Sequence, residues 1–303
     1  MPMPDVLLES EGVVIENDAS DRIVRAIETA GSTVESCLAY VREVTEAPHT
    51  QRALAAVKAA IGAAGVEVAD GAFERFLLTS VADGSLEKLE TMPLTPEVKS
   101  LCRQAFARFA DPQRQYDLGG TNFVAYCKIA SLRRFPAGQF DWEPSGLPRS
   151  WVPKIRPVGA LMAILKFVTF QMRGFGPLFF THMGTGGRNY ALIEREAQRS
   201  YYRMARCLEL QPHVHGITTA SWLHSPDTFA ISPHLAWLNR TFEENGALLG
   251  TIGEDDPSSG VLHRSPERRR AYEAGIWRPT IGLVIWPRDE MLAWANRHSE
   301  LES

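Results

Sequence analysis

The stretch from Phe175 to Trp237 constrains this chain most. It reads FGPLFFTHMGTGGRNYALIEREAQRSYYRMARCLELQPHVHGITTASWLHSPDTFAISPHLAW, and it carries five of the eight histidines: His182, His213, His215, His224 and His234. It also holds the run Gly184-Thr185-Gly186-Gly187, three glycines in four positions. A short apolar run from Pro177 ends in Thr181-His182. A glycine loop follows, then a helical pattern from about Tyr190 to Leu210. A second apolar run from Val214 to Ala220 ends at Ser221-Trp222-Leu223-His224. This is strand, loop, helix, strand, with polar groups gathered where the strands end, which is where open α/β sheets place ligands. One helix joining two strands makes a crossover unit, so the two strands are expected to be parallel and to end on the same sheet edge. On that reading His182 and His224 share a cleft lined by Trp222 with Arg149 or Trp151.

The segments before this stretch read as helices. Asp21 opens one pattern that Gly31 stops. Others are expected at about Thr33–Thr45, His49–Ala64, 70–82 and 84–91. Thr95-Pro96-Glu97 combines a capping threonine, a first-turn proline and an acid near the helix dipole, so a helix starts there and runs to about Phe109. Residues 1–112 are therefore expected to form a mostly helical subdomain, and 113–303 an α/β domain carrying the site. Asn122 to Phe135 reads as a strand, Pro136-Ala137-Gly138 as a turn, and Gln139 to Glu143 as a returning strand. Pro144 to Pro157, with four prolines and one glycine, is a long loop of the functional kind. Its Arg149, Trp151 and Arg156 suit an anionic or planar ligand, or simply solvent. Gly159 to Met172 is apolar with little periodicity, and its length favours a buried helix. Beyond it, Ala247 to Ile252 and Thr280 to Trp286 are expected strands, and Ser265-Pro266-Glu267 and Pro287 open the last helices. The fold class expected is α/β or α+β, with a mixed sheet flanked by helices.

Charge and composition narrow the partners. With 32 Lys and Arg against 36 Asp and Glu, the net charge is −4. That lacks the basic excess of a nucleic-acid binder. The N-terminal residues have no basic region followed by an apolar run, so no signal peptide is expected. Val158 to Phe170 is broken by Lys166 and falls short of the ~20 residues a bilayer-spanning helix needs. The expectation is a cytoplasmic protein with a small-molecule substrate and no nucleic-acid or membrane partner. Cys37, Cys102, Cys127 and Cys207 lack CxxC spacing and are expected reduced.

Three constellations bear on chemistry. His213 and His215 stand two apart at the expected start of a strand, where period two puts both on one face. With His182, His224 and His234 they could hold Fe(II) or Zn, with Glu194 or Glu196 supplying a carboxylate. The chain has no HExxH pattern. Gly184, Gly186, Gly187 and Arg188 lead into a helix N-terminus, where backbone N–H groups and the helix dipole can cradle a phosphate. The loop is neither a Walker loop nor GxGxxG. Arg195, Arg199, Arg203 and Arg206 line one helical face, and Arg268 to Arg270 open another helix; both read as solvated. Ser221, His224, Ser225 and Asp227 include the residue types of a serine triad but lack GxSxG.

The order strand, glycine loop, helix, strand, helix, Asn-Gly, strand resembles the core of the GNAT-type N-acyltransferases. The likeness runs over about Pro177 to Ile252. His182-Met183-Gly184-Thr185-Gly186 stands where that family has its [RQ]xxGx[GA] loop, and Phe242-Glu243-Glu244-Asn245-Gly246 resembles its helix end. The resemblance implies an acyl-CoA-dependent N-acyltransferase acting on a small amine. Gly184, Gly186, Gly187 and Arg188 would bind the cofactor's phosphates, and His182, His224 or Glu194 would be the general base. A metal-dependent oxygenase or hydrolase and a non-catalytic binding protein stand beside it as alternatives.

Overall fold

The computed structural model describes residues 17–43, 47–65, 67–120, 122–185, 192–256, 261–262 and 265–302. The chain divides into two compact units, Met1–Glu90 with Cys102–Leu132, and Thr91–Leu101 with Arg133–Ser303.

The first unit is helical: α1 (Asn17–Thr29), α2 (Val34–Arg42), α3 (Ala47–Ala63), α4 (Ala72–Asp83), α5 (Leu86–Thr91) and α7 (Phe123–Ala130), with α6 (Pro96–Phe109) divided between the two units. Thr33 caps α2 by accepting from the Ser36 N–H, the arrangement that satisfies a first-turn donor. Ile27, Val41, Leu54, Leu77 and Leu78 form a closed core. The Lys58 ammonium meets the buried Glu74 carboxylate at 2.6 Å. All four cysteines are free and buried. Residues 122–135, expected as a strand, are α7 up to Ala130. The run is apolar on nearly every side, so periodicity cannot separate strand from helix, and packing against α2 and α4 selects the helix.

The second unit is a mixed α+β layer structure. Its six-stranded sheet has the order β1 (Phe135–Pro136), β2 (Phe140–Gly146), β3 (Pro177–Met183), β4 (Gly216–Ser221), β6 (Thr280–Pro287), β5 (Leu248–Glu254). Every neighbouring pair is antiparallel except β3 and β4. As the crossover argument requires, β3 and β4 are parallel, joined by α9 (Glu194–Glu209). Strand alternation then sorts the sheet into two faces. On one, Trp142, Phe179 and Trp286 pack with Tyr201 of α9, Phe242 of α11 (Trp237–Glu243) and Trp294 of α13 (Arg288–Arg297). On the other, Leu178, Leu283 and Ile285 pack with Ile164 of α8 (Val158–Lys166) and with Phe167, Val168 and Met172. The α10 helix (Pro226–Ile231) follows β4, and α12 (Pro266–Glu273) precedes β6.

The Gly159–Met172 segment is helical as expected, but it is buried on one side only. Val158 is 68% exposed, Met162 60% and Phe170 72%. The helix lies on the sheet and hides only one side. At Phe167–Gln171 it widens into a π-turn, with the Met172 N–H reaching the Phe167 carbonyl. Among the described residues no helix is long and apolar enough to cross a membrane.

Candidate active site

The polar cluster forms where β3 ends. Register sets it: Asp141 of β2 faces His182 of β3, and Glu143 faces Phe180. Asp141 and Glu143 are two apart on β2, so both side chains stand on the face that carries His182 and Phe180. His182 Nε2 lies 3.2 Å from Glu143 Oε1, and the guanidinium of Arg134 approaches the other carboxylate oxygen at 3.5 Å. The geometry of this contact falls short of an aligned hydrogen bond. Such contacts often tighten only when substrate is bound. The His182 ring packs on Phe180, which in turn meets Trp151 of the proline-rich loop. His182 is about one-quarter exposed, so the group is reachable from solvent while its carboxylate partner is more enclosed.

The parallel ladder between β3 and β4 is short. It pairs Phe179 with Ile217 and Phe180 with Thr218, and no further pair follows. β3 runs on to Met183 and β4 to Ser221, so beyond Phe180 the facing edges of the two strands share no ladder. The hydroxyl of Thr219 reaches the Thr181 carbonyl at 3.5 Å, the limit of a bond. Backbone groups left outside a ladder can serve a ligand. His182 lies in this part of β3, beyond the last ladder pair.

The loop after β3 is anchored on the β1–β2 turn. The Gly184 N–H donates to the Gln139 carbonyl at 2.9 Å, and the Thr185 N–H donates to Asp141 Oδ2 at 3.1 Å. A Cβ at Gly184 would stand 2.8 Å from that carbonyl oxygen, so only glycine allows the approach. Gln139 Oε1 accepts from the Ile193 N–H at the start of α9. Ser200 of α9 accepts from the Gln139 N–H at 2.9 Å and donates to the Glu196 carbonyl. Both ends of the glycine loop are thus tied to one turn. Gly186, Gly187 and Arg188 lie outside the described residues.

The other expected site residues are dispersed. His224 is buried in a 3-10 turn after β4, and its Nδ1 is 2.9 Å from Asn239 Oδ1. Asn239 Nδ2 donates to the His224 carbonyl. That fixes the amide orientation and makes Nδ1–H the donor. Burial pushes the His224 pKa down to about 4, opposed in part by the Asn239 bond. Its ring packs on Phe242, which belongs to the aromatic cluster on the opposite sheet face from His182. The pairing of these two histidines in one cleft is therefore not what the fold assembles. Glu194 lies in the first turn of α9 and is paired with Arg240 at 2.8 Å.

His213 sits in an exposed turn and His215 just ahead of β4, which begins at Gly216 and not at Val214. A strand that starts later leaves the two rings without a common face. The His215 ring packs beside Gly176, and His234 is exposed in a separate 3-10 turn. Among the described residues no three His, Cys, Asp or Glu side chains gather to hold a metal ion, and the Fe(II) or Zn reading finds no support. Ser225 and Asp227 both bond to Thr280 instead of to His224, so the serine-triad residue types do not assemble.

Two arginine groups also depart from expectation. Arg203 donates to the Ala137 carbonyl. Arg268 is buried, bonding the Val261 carbonyl and Ser232 and lying 4.7 Å over the Trp222 ring. Trp222 is thereby committed to Arg268. Residue patterning missed Glu143, Asp141, Gln139 and Arg134. The signal was present in the spacing of Gln139-Phe140-Asp141-Trp142-Glu143, where period two puts both acids on one face of a hairpin strand.

No family model matches the sequence, and no curated protein does. Two solved structures share a distant likeness. One is of an acyltransferase in complex with decanoyl-CoA and teicoplanin: TM-score 0.45, 12% identity, covering 71% of this chain and 66% of that one. The other is of an acyltransferase in complex with decanoyl-CoA: TM-score 0.45, 13% identity, covering 89% of this chain and 76% of that one.

Proposed function

We propose that this protein is an acyl-CoA-dependent acyltransferase acting on a small amine, with His182 as the general base. One observation carries the reading: β3 and β4 are parallel, their ladder stops at Phe180 and Thr218, and a His–Glu pair stands just beyond that stop, beside a glycine loop that leads to α9. That is the strand, loop, helix, strand order of the N-acyltransferases the sequence resembles. The acyl donor's chain would enter the gap between the strands, where backbone groups can bond its amides. Its phosphates would meet the loop. The Gly184 and Thr185 amides are engaged with Gln139 and Asp141, so phosphate binding falls to Gly186, Gly187 and Arg188, and Gly184 serves as the pivot.

The chemistry is a nucleophilic substitution at the thioester. The acceptor nitrogen attacks the carbonyl carbon, the C–N bond forms, the C–S bond breaks, and the CoA sulfur leaves and is protonated. The Glu143 carboxylate favours a proton on His182 Nε2, which puts the lone pair on Nδ1, the nitrogen that takes the proton from the amine. Positioned proton transfer of this kind contributes about 10²–10⁴-fold. Arg134, 3.5 Å from the Glu143 carboxylate, helps hold it in place.

Release of free thiol from acetyl-CoA and longer acyl-CoA, assayed against a panel of small amines, tests the reading. His182→Ala should lower kcat by about 10²-fold or more, and Glu143→Gln by a smaller factor with little change in KM. Acyl-CoA should raise Tm by mass action. Gly186→Asp should abolish that shift by setting a carboxylate against the phosphates. A wild-type protein whose Tm is indifferent to millimolar acyl-CoA would refute the assignment.

A further inference from the structure

The surface formed by α8 and its π-turn departs from the acidic balance of the chain as a whole. From Pro144 to Ile193 there is no Asp or Glu, although the chain has 36. The same stretch holds Arg149, Lys154, Arg156, Lys166 and Arg173, all exposed. Between these cations three large apolar side chains stand out into solvent: Val158 at 68%, Met162 at 60% and Phe170 at 72%. Val158 and Met162 are one turn apart and share a helix face. The opposite side of the same segment is packed on the sheet through Ile164, Phe167 and Val168. Exposed apolar side chains rimmed by cations on a helix too short to span a bilayer are the pattern of a helix that lies in a membrane interface.

We propose that this face docks on an anionic lipid surface, with Val158, Met162 and Phe170 entering the headgroup–acyl boundary and Lys154, Arg156 and Arg173 meeting lipid phosphates. Charge selects this occupant. A second copy of the chain, related by a two-fold axis, would bring basic residues against basic residues. Nucleic acid would match the charge but offer no apolar medium for the three side chains. Lys166 contributes less than the others, because it shares a cavity of about 280 Å³ with Asp289 and Glu290. Basic residues next to an anionic membrane each add attraction that salt screens. The inference is independent of the acyl-transfer chemistry, since it uses none of the residues assigned to that site. It revises the expectation of no membrane partner, which rested on Val158–Phe170 being broken by Lys166 and too short to span a bilayer; a helix lying in the interface needs no such length.

Sedimentation of the full-length protein with vesicles tests it. Vesicles of phosphatidylglycerol and phosphatidylcholine in equal parts should carry down most of the protein at low salt. Pure phosphatidylcholine should carry down at least tenfold less, and 0.5 M NaCl should release the bound fraction. The triple variant Val158→Ser, Met162→Gln, Phe170→Ser should lose binding at least tenfold, with an unchanged circular dichroism spectrum. The variant Lys154→Gln, Arg156→Gln, Arg173→Gln should lose the preference for anionic lipid. Failure of the wild type to bind anionic vesicles overturns the proposal. So does a wild-type dimer in analytical ultracentrifugation that the triple apolar variant converts to monomer, because a second copy would then cover the face.

Discussion

Two histidines show how residue environment separates chemical roles. His182 is partly open and stands against the Glu143 carboxylate. His224 is buried and bound to Asn239, and burial holds its pKa at about 4 against an ordinary 6.5. Between those two pH values the unfolded chain binds a proton at this position that the folded chain excludes. The stability tied to this group is fully present above 6.5 and is lost as pH falls toward 4. A shift of that size amounts to about 3 kcal/mol. Urea midpoints of the wild type should therefore fall between pH 6.5 and 4 more steeply than those of His224→Gln; equal slopes would show that the ring is not desolvated as described. The same burial disqualifies His224 as a base poised near neutral pH, the range in which general bases work best.

At the level of elements, the glycine loop is held by what it rests on more than by its own glycines. Ser200 of α9 bonds the β1–β2 turn, and that turn bonds Gly184. Ser200→Ala should leave the buried Gln139 N–H without its side-chain acceptor and cost about 1–3 kcal/mol. It should also weaken acyl-CoA binding, because the loop would lose its seat; calorimetric titration would show the change. Gly282 of β6 is a second tight point, where an added Cβ would stand 2.2 Å from the His224 carbonyl carbon. Gly282→Ala forces strand and turn apart, and is expected to destabilise by more than 3 kcal/mol or so, beyond an ordinary overpacking mutation. Expression trials and thermal melts of that variant would check it. The α7 helix is an element that local pattern could not identify: an apolar octamer is equally at home as a buried strand, and its helical neighbours decide.

At the level of the whole molecule, charge is distributed unevenly, with the acids outside residues 144–193 and a basic, apolar face on α8. An acyl-CoA ligand that binds only the native state should stabilise it by about 2.7 kcal/mol at 100 times Kd. Differential scanning calorimetry should register that as a concentration-dependent rise in the transition that melts the sheet; a rise of the same size with free phosphate alone would point to anion binding without recognition of the acyl donor.

What the sequence determined by itself was local. Apolar runs at Pro177 and Thr280, helix-start signals at Thr95 and Ser265, and a single helix between two strands were enough for the element order from Pro177 onward and for the parallel pairing of β3 with β4. Each of these depends on neighbours within a few residues or on the handedness of one crossover. The site was legible only as a region. Glu143 meets His182 because the β2–β3 register brings together residues 39 positions apart, and a slip of one residue would turn the acid to the other face. His224 is buried because Gly282 and Asn239 close over it. The exposed side of α8 is exposed because the sheet takes only one side of a helix that is apolar almost all round. Register, burial and which face is left uncovered are properties of long-range packing, and no window of sequence contains them.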